Sequence, residues 1–95
     1  MENLIMQSMS DFRDGRSILK LSRETGISRI TLNSWSRGHS VPSLGVLLEH
    51  YFTGTPEGIR LAYKLIYGLY PKVVKKLPEL QQMIQVAYAT LPGAE

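Results

Sequence analysis

Ninety-five residues at 43% hydrophobic composition make one domain, with room for a real core but not for two independent ones, and a chain this short argues against an enzyme with a deep preformed pocket. Without cysteine there is no disulfide, no thiol catalysis and no cysteine-ligated zinc. Eleven Lys and Arg against eight Asp and Glu leave a net charge of only +3, too little by itself to indicate a nucleic-acid partner, and no stretch approaches the roughly 20 apolar residues of a membrane span.

The start, MENLIMQSMSD, has an acid at position 2 and an apolar run too short for a secretory signal, so the expectation is a soluble cytoplasmic protein. Ile5, Met9 and Phe12 recur at four- and three-residue intervals and predict an amphipathic helix over 4–13, interrupted by Asp14 and Gly15. Ser17 can cap a second helix from about Ile18 to Thr25, with Leu21 inward and Gly26 ending it. Ser28 to Ser36 is a third, short helix that Gly38 stops. After the loop Gly38-His39-Ser40-Val41-Pro42, Ser43 caps a fourth helix whose Leu44, Leu47, Leu48 and Tyr51 form an i, i+3, i+4, i+7 stripe.

Thr53-Gly54-Thr55-Pro56 is a break followed by a helix start, with Thr55 as cap, Pro56 at the first helical position and Glu57 near the positive end of the dipole. The helix it opens, over 56–69, carries Ile59, Ala62, Tyr63, Ile66, Leu69 and Tyr70 on one side and Leu61 and Leu65 on the other. It needs covering from two directions. Pro71 ends it, Lys72 to Lys76 read as a basic turn, and Pro78 opens a last helix bearing Leu80, Met83, Ile84, Ala87, Tyr88 and Leu91 in regular 3-4 spacing. Residues 91–95 read as a frayed tail. No strand pattern, internal repeat or low-complexity tract appears.

The third helix carries the functional signal. Leu32 and Trp35 lie three apart and can face a core, while Arg29, Ile30, Thr31, Asn33 and Ser34 point elsewhere. Between Arg16 and Arg37 there are five basic residues (Arg16, Lys20, Arg23, Arg29, Arg37) and one acid, Glu24, a local surplus of +4 that exceeds the whole chain's. Two short helices around a tight Gly-containing turn have the spacing of a helix-turn-helix.

The segment RSILKLSRETGISRITLNSWSRGHSVPSL resembles the helix-turn-helix of the lambdoid phage repressor and Cro family, a large group of bacterial and phage transcription regulators. The Gly26 turn, the Ile27-Ser28 pair, the Leu32 and Trp35 core positions, the Gly38 stop and the PSL opening the next helix fall in that family's register, over about residues 10 to 52. The segment departs from it at Ser22, where the family usually has Ala between the helices, and at Ile18, where it usually has a phosphate-touching Gln. The resemblance implies that the start of the third helix enters the major groove, with Arg29, Ile30 and Ser34 at base edges and Thr31 and Asn33 beside them. Arg29 can donate twice to guanine, Ile30 can pack on a thymine methyl, and Asn33 or Ser34 can bond a base edge or phosphate. Ser28 and Thr31 at the helix start, with Arg37, Lys20, Arg23 and Arg16, are the expected phosphate contacts.

Each residue also has an ordinary interpretation. Ile30 could be core, and Arg23 and Arg37 simply solvated. Trp35 reads as core in register with Leu32. His39 and His50, with no cysteine or HxxxH pair, do not suggest a metal, and no G-x-S-x-G elbow accompanies the serines. Tyr63, Tyr67 and Tyr70, at helical spacing beside Leu and Ile, read as packing.

The expectation is an all-α protein of five or six helices, with a lambda-repressor-like helix-turn-helix domain over 1–52 and a helical extension over 53–95, packed on the first part and serving dimerisation. Met83, Ile84, Ala87 and Tyr88 are expected to meet their symmetry mates. Function is expected to be binding of double-stranded DNA by a homodimer, repression at a palindromic operator, with no cofactor; a phage, plasmid or other mobile-element origin in a bacterial host follows from the resemblance alone. The alternatives are an autoregulatory antitoxin that holds a protein partner through 53–95, and a helical protein-interaction module. An enzyme is the least favoured class, for want of a convergent acid, base or nucleophile set.

Overall fold

Local hydrogen bonds set most of the helix ends. The computed structural model describes residues 4–91, which form seven helices and, among those residues, no strand: α1 (Leu4–Arg13), α2 (Ile18–Thr25), α3 (Arg29–Ser36), α4 (Leu44–Thr53), α5 (Pro56–Leu69), α6 (Pro71–Lys75) and α7 (Pro78–Ala89). Ser17, Ser28, Ser43 and Thr55 each accept, through the side-chain oxygen, the backbone N–H three residues on, satisfying a donor that the first helical turn leaves open. Pro occupies the first turn of α5, α6 and α7, where its missing N–H costs nothing. Gly26 ends α2 in the left-handed region at φ 78°, and Gly38, at φ 74°, ends α3 with the paired bonds Gly38 N–H to Trp35 carbonyl and His39 N–H to Ser34 carbonyl. The expected frayed tail beyond Leu91 lies outside the described residues.

The expected basic turn at Lys72–Lys76 is instead largely the five-residue α6, whose Val74 is fully buried, so the helix count is seven and not five or six. The second half of the chain packs on the first. α5 packs most extensively on α4, and also on α1, α2, α6 and α7. Its Leu61, Leu65 and Ile66 are fully buried in one cluster with Ile5, Met9, Leu21, Leu32, Trp35, Leu47 and Tyr51. Residues on both sides of position 52 therefore share this core. The Cα radius of gyration, 12.8 Å, is near the roughly 12 Å of a single body this long.

Two features press α5 onto the α2–α3 pair. Gly58 sits where an added Cβ would lie 2.6 Å from the Thr25 carbonyl oxygen, so only glycine permits this approach. Thr55, while capping α5, donates its hydroxyl to the Glu24 carbonyl at 2.8 Å. At the other end the Tyr70 hydroxyl donates to the Pro42 carbonyl at 2.7 Å, tying α5 to the loop before α4.

The last helix turns differently from expectation. Ile84 is fully buried in the monomer core, where the hydroxyl of Tyr51 donates to its carbonyl. Tyr88 stacks on Tyr63 with ring centroids 3.9 Å apart, and Ala87 packs on the core. Of the four residues expected to face a second copy, only Met83 is exposed; Ile84 is unavailable because this monomer has already enclosed it. Val86, absent from that expectation, is exposed beside it. Among the described residues no helix is long and apolar enough to cross a membrane.

Candidate functional site

The α2–α3 pair is built around a short turn that its own side chains bond closed. Thr25, 3% exposed, donates to the Leu21 carbonyl at 2.8 Å and accepts the Ile27 N–H at 3.2 Å. Ser22 donates to the Ile27 carbonyl at 2.6 Å. That bond satisfies a turn carbonyl between the two helices. Ile27 closes the turn from the apolar side, buried with Leu21, Leu32 and Trp35. The His50 ring meets Trp35 edge-on at 6.4 Å.

With Leu32 and Trp35 spent inward, α3 exposes its start, while Thr31, Asn33, Ser34 and Ser36 are half-buried. Arg29 and Ile30 are exposed, and Ile30 at 83% is the most exposed large hydrophobic residue described. The interpretation of Ile30 as core is thereby excluded. Arg29, Ile30 and Asn33 line one open depression together with Ile18 and Leu19 of α2. Ser28 caps α3 and donates to the Thr31 hydroxyl at 2.9 Å, so these two sit together at the helix start. Ser34 is engaged with Ser40 across the following loop, its Oγ 2.7 Å from that of Ser40.

The basic residues divide into two groups. Arg16, expected to touch phosphate, is used inside the fold: its Nη1 bonds Glu24 at 2.8 Å and Glu57 at 2.7 Å, its Nε bonds the Arg13 carbonyl at 3.0 Å, and its guanidinium lies over the Phe12 ring. Within the fold it is a brace joining the α1–α2 loop, α2 and α5. Burial alone would lower the Arg16 pKa, but the hydrogen bonds with Glu57 and Glu24 outweigh it and hold the guanidinium above its ordinary value. Burial likewise opposes ionisation of Glu57, and the bonds from Arg16 and Arg60 win there, keeping its carboxyl below the usual range. Lys20, Arg23, Arg29 and Arg37 are all exposed and, among the described residues, form no ion pair. Because the one acid of the segment is consumed by Arg16, the +4 surplus belongs to these four.

Leu19, 43% exposed on α2, is a site residue that sequence reasoning missed. The signal was present: Ile18 and Leu19 are adjacent on a helix whose buried position is Leu21, and neighbours 100° apart cannot both face that core squarely. The tyrosines read as packing do pack. Tyr63 lies 4.8 Å from Tyr67 as well as on Tyr88, and burial followed by these neighbours raises its pKa. No group of three His, Asp or Glu side chains that could hold a metal ion occurs among the described residues. No family model matches the chain, and no curated protein and no solved structure matches it.

Proposed function

We propose that this chain is a sequence-specific double-stranded DNA-binding transcription regulator, a repressor, with α2 and α3 as its helix-turn-helix and α3 in the major groove. One observation carries the reading: a short helix locked inward by Leu32 and Trp35 offers Arg29, Ile30 and Asn33 outward, on a two-helix segment with four cations that no carboxylate neutralises. Arg29 is suited to a bidentate bond to guanine and Asn33 to a base edge. Lys20, Arg23 and Arg37, with the Ser28 start of α3, are suited to phosphates, where charge and open N–H groups suffice. The family resemblance of residues 10 to 52 points the same way.

The decisive experiment is selection of bound duplexes from a random pool by the purified full chain, followed by titration of the enriched duplex at several salt concentrations. The expected result is an enriched motif whose binding weakens with salt by roughly 0.9 logarithmic units per neutralised phosphate for each decade of salt. A pool that stays random, with no salt-dependent binding of any duplex, overturns the proposal.

Reading two half-sites one helical turn apart, roughly 34–36 Å, calls for two copies of the chain. With Ile84 enclosed, the proposed contact moves to the exposed Met83 and Val86 of α7. Val86→Glu should then leave a folded monomer that binds the selected duplex weakly. Sedimentation of that variant as a dimer, or of the parent as a monomer at tens of micromolar, removes this part of the proposal.

A further inference from the structure

An isoleucine left 83% in water forgoes nearly all the free energy its burial would release, so a partner that removes Ile30 from solvent has something to gain. Ile30 is not isolated. Leu19, 43% exposed, and the half-buried Ile18 share its depression, together with Arg29 and Asn33. Hence an aliphatic patch drawn from two helices lies in the same recess as a guanidinium and an amide, while Lys20, Arg23 and Arg37 on those helices carry unneutralised charge.

Such a surface suits a partner that is apolar at a small spot and densely anionic around it. The major groove of duplex DNA has that character: the C5 methyl of thymine is the apolar group it exposes, and phosphates run along both edges. We infer that Ile30 and Leu19 read pyrimidine C5 methyl groups at two nearby positions of each half-site, with Arg29 on a guanine next to them. This inference rests on the DNA-binding reading above and names what that site recognises. Cytosine methylated at C5 carries the same group at the same place in the groove. Methylation of a cytosine at either position therefore strengthens binding, and the protein senses cytosine C5 methylation.

The test uses the full chain and the duplex enriched from the random pool. Each thymine is replaced in turn by deoxyuridine, which deletes only the methyl. Two positions should lose about fourfold in affinity, the equivalent of one buried CH₂ group at room temperature. Ile30→Ser should abolish the loss at one of them and Leu19→Ser at the other; both side chains are exposed, so both variants should melt like the parent. A cytosine placed at either position should bind about fourfold tighter when 5-methylated. A deoxyuridine series flat at every position overturns the inference while the enriched motif still upholds DNA binding. The same losses in parent and variants would overturn it by showing that other side chains read the methyls. An acidic protein as the true occupant would show as a flat series together with unchanged duplex binding by the Leu19→Ser/Ile30→Ser double variant.

Discussion

α3 and α5 invert what their compositions suggest. α5 is far richer in apolar side chains yet exposes none of its large ones, whereas α3, mostly polar, leaves Ile30 at 83%. The cause is placement. α5 packs on α1, α2, α4, α6 and α7, so each of its large apolar side chains meets a neighbour. α3 packs mainly on α1 and α2 and keeps an open outer face at Arg29 and Ile30. Burial is decided by what surrounds a helix; a single exposed apolar residue is ordinary, and Ile30 stands out because Ile18 and Leu19 share its depression.

The inward side chains should carry the largest effects. Trp35→Ala should lower stability by about 3–5 kcal/mol, and Leu65→Ala, at the fully buried centre of α5, by about 2–5 kcal/mol, both read from denaturant unfolding. A Leu65→Ala protein as stable as the parent would mean that α5 is not the centre of the core.

Next in size is a pH effect on the α5–α7 side. Burial, with Tyr63, Tyr67 and Tyr88 nearby, pushes the Tyr51 pKa from 10.0 up to about 12. The folded chain keeps its proton where the unfolded chain has lost it, so this contribution is complete below pH 10 and is lost as pH rises toward 12. It amounts to about 2–3 kcal/mol. Tyr51→Phe should flatten the alkaline fall in stability, and an equally steep fall in that variant would assign the titration elsewhere.

On the outward side the effects should appear in binding and not in folding. Arg29→Ala should weaken the selected duplex by about 1–3 kcal/mol and relax preference at one base pair, with unchanged melting. The smallest expected effect is that of Ile30→Ser on stability, within about 0.5 kcal/mol, as for surface positions generally. A large loss from either substitution would mean that α3 does not face outward as described.

What was legible in the sequence was local. Ser17, Ser28, Ser43 and Thr55 were readable as caps, and Gly26 and Gly38 as stops, because each acts on backbone groups a few residues away. The outward set on α3 was legible because Leu32 and Trp35 claim one face of a very short helix. Arg16 was not, since its carboxylate partners stand 8 and 41 residues along the chain. Nor was the orientation of α7: Met83 and Ile84 are neighbours on the helical wheel, and only the position of Tyr51 and Tyr63 decides which of them turns inward. The elements that cover α5 were not legible for a related reason, as a helix apolar on two faces announces that it will be covered without saying by what. At the candidate site, Leu19 was the residue lost.

The hydroxyl of Thr55 binds two helices with one atom, closing the first turn of α5 through Gly58 and holding the Glu24 carbonyl near the end of α2. Opening the start of α5 therefore also releases the end of the helix that leads into the turn. The outward-facing pair is thus not an independently fluctuating appendage but part of one cooperative opening unit with α5. In hydrogen exchange, the buried turn amide of Ile27 should be protected to the same extent as that of Gly58, and both should lose protection together when Thr55 is replaced by valine.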